Sequence, residues 1–307
     1  MSTLTISIEV ELGWGVHDIR KSSHLSEDGK EERKYLDKII EKSEEIDIPI
    51  SFDIVGHLLL SECDGNHDGP YPEGWFQADS GTDKRSDPLF YAPDIANKVL
   101  GSNANHELCT HTFSHILCDD ASNELIEKEL QQIQELHQHL HNEVVRSFVP
   151  PRHRQPSNRT LKQNGIKVAR YAKENKTLTP LHRLKQLTIG PHPMWEPKFS
   201  DGILETYCTR YPSLTAGTLP AGQSSKIHPV FRPIPVSLRK KIHLQYLKKS
   251  TKRAFLSGTP LHLWCHLYDL SNEHQWEVID KYFDYLDGIQ ESDLMIKTMS
   301  ELPDMYE

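Results

Sequence analysis

The chain has 307 residues, and its 35 Lys and Arg against 44 Asp and Glu give a formal net charge of −9 at pH 7. This balance argues against a nucleic-acid partner, which usually requires a basic surface. Five cysteines without a Cys-x-x-Cys spacing predict neither a disulfide framework nor a thiolate zinc site. No apolar run reaches membrane-spanning length, and no basic segment followed by an apolar stretch begins the chain, so we expect a cytoplasmic protein without stable membrane insertion.

Short apolar or alternating runs predict strands along the whole chain. In order, they are residues 4–10, 50–56, 106–110, 146–152, 166–171, 203–208, 261–266 and 294–298. Apolar residues at helical spacing predict helices between them, at 31–46, 93–100, 122–141, a short segment ending at 164, 237–256 and 271–286. Strands that alternate with helices are typical of an α/β fold with a parallel sheet.

Two long segments interrupt this alternation. Residues 61–90 are rich in Gly, Pro and Asp and show no period. A loop of this length is usually a functional rim or lid, or else is disordered. Residues 172–235 are rich in proline and predict little beyond one strand.

Charged or metal-binding side chains follow four of the predicted strands. They are Glu9 and Glu11, His111 and His115, Arg152, and His266. In parallel barrels the carboxyl ends of the strands meet at one face, where the chemistry gathers. If the chain turns helically after its strand, His111 and His115 share one face. Two imidazoles, a carboxylate and an open position for water suit one Zn²⁺ ion.

These residues also have a purely structural interpretation. Two of the eighteen histidines can fall four apart by chance, and Glu9 and Glu11 can be exposed charges at a strand edge. However, Glu9 is flanked by Ile8 and Val10 in a strand with a buried pattern, where an unpaired carboxylate is costly. The convergence of four strand ends favours the metal site.

With these residues assembled, the chain resembles the polysaccharide deacetylase superfamily (NodB homology, carbohydrate esterase family 4). The resemblance extends from residue 6 to about residue 287, with the motifs in the family's order. The motifs are Glu9-Val-Glu11-Leu-Gly-Trp-Gly15, His111-Thr-Phe-Ser-His115, Phe148-Val-Pro-Pro-Arg152 and Leu261-His-Leu-Trp-Cys-His266. The resemblance implies that residues 1–307 form a single distorted (β/α) barrel of about seven parallel strands.

The resemblance further implies a metal-dependent carbohydrate N-deacetylase. Such an enzyme hydrolyses the acetyl amide of an N-acetylated sugar or glycan precursor, with a water molecule held by one divalent ion as the nucleophile. Glu11, His111 and His115 match the metal ligands of the family, and Zn²⁺ is the expected ion. No organic cofactor is predicted.

The resemblance assigns catalytic roles to three further positions. Glu9 matches the general base, Arg152 the arginine that holds the base, and His266 the general acid. The base is normally aspartate in the family, and Glu9 is one methylene longer. Misplacing a reacting group by ~1 Å can cost around a hundredfold in rate. His153 and Arg154 stand where Asn-Gln usually follows the arginine, so the departures bear on rate and substrate rather than on fold.

Two alternatives to the sugar deacetylase stay open at this point. The same scaffold can hydrolyse a non-sugar amide such as a cyclic ureide, because fold and metal do not fix the substrate. The chain can also be a catalytically weak homologue that binds glycan, an interpretation motivated by the glutamate at position 9.

Overall fold

The computed structural model describes residues 2–19, 23–174, 179, 185, 188–224, 227–289 and 294–306. Its strands join in one nine-stranded sheet. They are β1 (Ser2–Val10), β2 (Ser51–Ile54), β3 (Glu107–Thr110), β4 (Ser147–Phe148), β5 (Val168–Lys173), β6 (Lys198–Ser200), β7 (Ile203–Thr209), β8 (Leu261–His266) and β9 (Leu294–Ile296). The strand order is β6-β7-β5-β4-β3-β2-β1-β8, and β9 also pairs with β1.

Helices follow or separate the strands. They are α1 (Lys30–Glu45), α2 (Pro93–Leu100), α3 (Asn123–His141), α4 (Asn158–Gln163), α5 (Val236–Ser257), α6 (Leu267–Leu270), α7 (Glu273–Asp287) and α8 (Pro303–Tyr306). Among the described residues, no helix is both long and apolar enough to cross a membrane.

The sheet is mixed but mostly parallel, and it curls into a partial barrel. Among the described strand pairs, only β6 and β7 run antiparallel. The two sides of the curl approach each other where the Trp264 indole on β8 donates to the carbonyl of Thr209 on β7, at 2.8 Å. This architecture confirms the predicted α/β barrel class.

The central strand β1 separates the core from the barrel interior. Successive side chains of a strand point to opposite faces. Ile6 and Ile8 therefore pack into the hydrophobic core that the surrounding helices complete. Ser7 and Glu9 point the other way and make polar contacts inside the barrel. The same alternation that buries β1 thus delivers a carboxylate to the interior.

The structure differs from the sequence prediction in several element boundaries. β4 is shorter than predicted because Pro150 and Pro151 follow it, and proline has no N–H to donate to a neighbouring strand. α7 begins after Asn272, whose side chain accepts from the His274 N–H, rather than after the predicted cap Ser271.

The two long loops also gain some structure. Residues 61–90 consist mainly of turns with one bridge between Glu62 and Asp83. The segment 172–235 contributes β6 and β7, a paired edge that its sequence pattern only half predicts. Parts of that segment, residues 175–178, 180–184, 186–187 and 225–226, lie outside the described residues.

Candidate active site

Glu11, His111 and His115 meet at the carboxyl ends of β1 and β3. The Oε1 atom of Glu11 lies 3.1 Å from Nε2 of His111 and 3.1 Å from Nε2 of His115. All three residues are buried. The structure thus brings together the three side chains that the sequence predicts as metal ligands.

The two histidines converge through a tight loop and not through the helical turn that the spacing predicts. Thr112 and His115 both have φ of 60°, in the left-handed region. Backbone N–H groups of Gly56 and His57 bind the carbonyls of Thr112 and Phe113, each at 2.8 Å. These bonds to the segment after β2 hold the loop in a form that a helix does not allow.

The buried carboxylate of Glu129 on α3 holds this histidine loop in place through hydrogen bonds. Glu129 accepts from the Ser114 backbone N–H at 2.8 Å and from the Ser114 hydroxyl at 2.7 Å. It also accepts from the Tyr71 hydroxyl at 2.8 Å. Burial raises the pKa of Glu129 above its ordinary value, although these donors oppose the shift. Glu129 therefore positions His115 through its neighbour in the chain.

The hydrogen bonding of His111 leaves a lone pair aimed at Glu11. Its Nδ1 lies 2.9 Å from the carbonyl oxygen of Val149, which only accepts, so Nδ1 carries the proton. A neutral His111 then directs the lone pair of Nε2 at the carboxylate of Glu11. Two acceptors at 3.1 Å repel each other unless a positive charge, either a proton or a metal ion, lies with them.

The donor set of this cluster fits a catalytic zinc ion. Two imidazole nitrogens and one carboxylate, with a fourth position open, form a recurrent catalytic zinc set. Burial opposes ionisation of Glu11, but its interactions with the adjacent imidazoles of His115 and His111 outweigh burial and hold its pKa well below its usual range. A deprotonated carboxylate is the form that binds a metal.

Glu9 lies beside this cluster and contacts two cationic partners. Its Oε2 atom lies 3.1 Å from Nε2 of His266, and its Oε1 atom forms an ion pair with Arg170. Burial raises the pKa of Glu9, yet the charges of Arg170 and His266 outweigh it and hold the pKa well below its ordinary value. Glu9 is therefore ionised, as a general base must be.

His266 is held on its other side by the turn that begins α6. Its Nδ1 lies 3.0 Å from Oδ2 of Asp269, and the ring stacks on Tyr268 with centroids 4.5 Å apart. Burial lowers the pKa of His266, but Glu9 and Asp269 reverse this and hold it well above its usual value. The imidazole is therefore protonated at neutral pH and remains partly exposed at 18%.

Arg152 does not hold Glu9 in this structure, which corrects the sequence expectation. Its guanidinium pairs with Asp18 at 2.8 Å and donates to the Gly15 carbonyl at 3.3 Å. The chain turns at Arg152 with φ of 48°, and this turn directs the side chain to the rim. The interior position beside Glu9 is already filled by Arg170.

Arg170 is the site residue that sequence reasoning missed. It is fully buried on β5, where it also donates to Ser7 Oγ at 2.6 Å and to Asp53 Oδ2 at 3.1 Å. A sequence signal exists, because Arg170 stands between Ala169 and Tyr171 in a strand with a buried pattern. A charge in such a run requires a buried partner.

Comparisons with known proteins agree with this fold. The polysaccharide deacetylase family profile matches residues 27–169. A structure from Mycobacterium smegmatis, named as a polysaccharide deacetylase, superposes with a TM-score of 0.62 at 11% identity, covering 99% of this chain and 89% of that one. A similarly named Pseudomonas aeruginosa PAO1 structure gives 0.59 at 10% identity, covering 99% and 90%.

A third similar structure has a different named activity. The PuuE allantoinase superposes with a TM-score of 0.58 at 12% identity, covering 99% of this chain and 89% of that one. No curated protein matches the chain significantly. At these identities the structural likeness establishes the fold alone. The family profile covers residues 27–169, and together these findings support the resemblance of this chain to the polysaccharide deacetylase superfamily.

Proposed function

We propose that this protein is a metal-dependent hydrolase that removes the acetyl group from an N-acetylated sugar or glycan precursor. The observation that carries the proposal is the placement of the Glu9–His266 pair directly beside the cluster of Glu11, His111 and His115. One oxygen of each glutamate and a nitrogen of His266 lie within 4.8 Å of one another. The match of residues 27–169 to the polysaccharide deacetylase family supports the deacetylase class.

Glu11, His111 and His115 would hold the divalent ion, which we propose to be Zn²⁺. When bound, such an ion polarises the amide carbonyl and lowers the pKa of water toward ~7. Contacts on the side of each ligand away from the proposed ion hold these side chains in place. The Val149 carbonyl sets the tautomer of His111, and Glu129 fixes the loop that carries His115.

Glu9 and His266 would divide the proton transfers between them. Glu9 is ionised and accepts a proton from the attacking water. His266 is protonated and donates to the nitrogen of the leaving amine, so that the C–N bond breaks without expelling an amide anion. Two neighbouring groups with pKa values pushed in opposite directions are typical of an acid–base pair.

Arg170 and Asp269 would position this pair. Arg170 keeps Glu9 ionised and fixes one of its oxygens, which leaves the other directed at His266. Asp269 orients the His266 ring through Nδ1, so that Nε2 faces the site. Neither residue needs to touch the substrate for this role.

A cavity of about 630 Å³ adjoins the acid end of the site. Asp269 lies at its edge, and apolar side chains including Tyr211, Val230, Phe231 and Ile242 line it. Ligand sites are commonly of this size, mostly apolar with a few polar groups. We propose that this cavity receives the part of the substrate that leaves with the amine, since it lies on the side of His266.

Acetate release from N-acetylhexosamine oligomers tests the proposal directly. We expect activity in the zinc-loaded protein, its loss on chelation, and a fall in kcat of roughly 10²- to 10⁴-fold in Glu9→Gln with zinc still bound. Glu124→Gln, on an exposed position of α3, is the matched control and should leave kcat unchanged. Acetate release that survives both chelation and Glu9→Gln rules out the mechanism.

A second substrate class deserves the same assay. The fold is shared with an allantoinase, and the glutamate at position 9 departs from the usual aspartate of the sugar deacetylases. Hydrolysis of allantoin, with no acetate released from sugars, would assign a cyclic ureide as substrate. Zinc binding without turnover of either compound would instead indicate a glycan-binding homologue.

A further inference from the structure

A second cluster of metal-binding side chains lies outside the catalytic site. His57 follows β2 in the short helical turn Gly56–Leu59, and three further residues come from the loop 61–90. The four ligand atoms belong to His57, Cys63, His67 and Asp79 and all lie within 4.8 Å of one another. The other clusters of this kind among the described residues centre on Glu9 and Glu11 and contain no cysteine.

Three of the separations in this cluster match the edges of a tetrahedron around zinc. Bond lengths near 2.3 Å to sulfur and 2.0–2.1 Å to nitrogen or oxygen imply about 3.5 Å between sulfur and nitrogen and about 3.3 Å between nitrogen and oxygen. In the structure, Cys63 Sγ lies 3.4 Å from His67 Nε2 and 3.6 Å from Asp79 Oδ2. His57 Nε2 lies 3.3 Å from the same Asp79 oxygen. His67 Nε2 lies 2.8 Å from that oxygen, which is a hydrogen-bond distance that bound zinc would lengthen.

The surrounding groups orient these atoms toward a common centre. His57 Nδ1 contacts the Phe90 carbonyl at 3.3 Å, which leaves the lone pair on Nε2. That Nε2 atom is buried without a hydrogen-bond partner in the described part of the chain. The Gly65 N–H donates to Cys63 Sγ at 3.2 Å, and the Gly81 N–H occupies Oδ1 of Asp79 at 3.2 Å. Ligands held from behind in this way are typical of metal sites.

We propose that His57, Cys63, His67 and Asp79 bind a structural Zn²⁺ ion that closes the loop 61–90 onto the barrel. Four protein ligands leave no open position, which distinguishes a structural site from a catalytic one. The composition and spacing of the cysteines do not predict this site, because it uses a single thiolate among its four ligands. It does not depend on the proposed activity.

The ion would stabilise a wall of the catalytic site. His67 stacks on Phe76 with centroids 3.9 Å apart, and the His57 ring lies 4.5 Å from Trp14. The neighbouring Trp75 donates to the Ser114 carbonyl at 3.1 Å, within the histidine loop. A loop of thirty residues made mainly of turns has few other means of holding these aromatic side chains in place.

Cobalt substitution separates this site from the catalytic one, because only this site contains a thiolate among the described clusters. We expect a near-ultraviolet thiolate-to-cobalt band in the wild-type protein and in His111→Ala, and its loss in Cys63→Ala. Cys118→Ala, which removes a buried thiol elsewhere, is the matched control and should retain the band. Zinc content should fall by one equivalent per chain in Cys63→Ala, which loses the ion of this cluster. It should also fall by one equivalent in His111→Ala, which loses the ion of the catalytic site.

Trypsin provides a second readout that does not require a folded Cys63 variant. In His111→Ala, chelation should expose the loop and accelerate cleavage after Lys84 and Arg85 several-fold, and added zinc should restore resistance. The proposal is wrong if the wild-type protein shows no thiolate band and chelation leaves cleavage unchanged. In that case the cluster is held by hydrogen bonds alone, whether or not the protein is a deacetylase.

Discussion

Arg170 of β5 forms an ion pair with Glu9 of β1 inside the barrel, although 161 residues separate them in the sequence. The same guanidinium contacts Ser7 and Asp53 on the two adjacent strands β1 and β2. One cation therefore balances two buried carboxylates and connects opposite sides of the curled sheet.

Replacing Arg170 should impair both stability and catalysis. Arg170→Met leaves Glu9 and Asp53 buried without their cation, and breaking a buried pair in this way costs about 3–5 kcal/mol. We expect that loss in denaturant unfolding and a fall in kcat of roughly a hundredfold from misplacement of Glu9. Arg170→Lys should recover part of both losses.

Arg152→Gln is the informative comparison for that experiment. Its ion pair with Asp18 lies at the rim, with about a third of the Arg152 side chain exposed, and such pairs contribute at most about 1 kcal/mol. An Arg152→Gln variant as unstable and inactive as Arg170→Met would contradict the assignment of Arg170 as the partner of Glu9.

Gly15→Ala should weaken metal binding without changing a ligand. A Cβ atom at Gly15 would overlap Oε2 of Glu11, and Glu11 cannot move freely because its other oxygen faces both histidines. We expect the dissociation constant for zinc to rise roughly tenfold or more. Competition with a chelating dye measures this, and Gly217→Ala, where nothing lies within 4 Å of the new atom, is the matched control.

Glu129→Gln should loosen the histidine loop through Ser114. The amide retains one acceptor oxygen but places a donor either against the Ser114 N–H, which bonds Oε2, or against the Ser114 and Tyr71 hydroxyls, which bond Oε1. We expect zinc affinity to fall roughly 10- to 100-fold. Glu135→Gln, at an exposed position of the same helix, should bind zinc like the wild type. Equal affinity in both variants would show that Glu129 has no positioning role.

His106 should make the fold sensitive to mild acid. Its Nδ1 accepts from the Ile50 N–H at 3.1 Å, and burial lowers its pKa to about 4. The depressed pKa means that stability is full above the unfolded value of ~6.5 and is lost as the pH falls toward the folded value. Between pH 7 and pH 5 this residue should reduce the free energy of unfolding by about 2 kcal/mol.

Unfolding curves at the two pH values check this prediction in His106→Asn. The variant lacks the titrating ring, so its stability should change less with pH than that of the wild type. The exposed His139→Asn on α3 should keep the wild-type pH dependence. If the free energy of unfolding changes with pH as much in His106→Asn as in the wild type, the effect belongs to other buried histidines.

The features of this fold that depend on local sequence patterns can be predicted from the sequence. The β1 and β8 strands, the helix capped by Ser122 and the placement of His111, His115 and Glu11 near strand ends all follow from period, capping and parallel topology. The motif order is sufficient to recognise the family.

The remainder depends on contacts between distant segments. The partner of Glu9 lies on β5 and not at the strand end where the motif places Arg152, because the barrel interior is filled from several strands at once. The histidine loop avoids a helix because the segment after β2 binds the carbonyls of Thr112 and Phe113. Neither contact produces a periodic pattern of residues from which it could be predicted.

The ion pair between Arg170 and Glu9 also has an evolutionary consequence. In many enzymes, discarding a catalytic carboxylate relieves electrostatic strain and makes the protein sturdier. Here the opposite holds, since deleting Glu9 removes one of the two carboxylates that balance a fully buried guanidinium. A descendant that abandoned turnover would still be under selection to retain both charges, so their presence in a sequence marks architecture as much as chemistry.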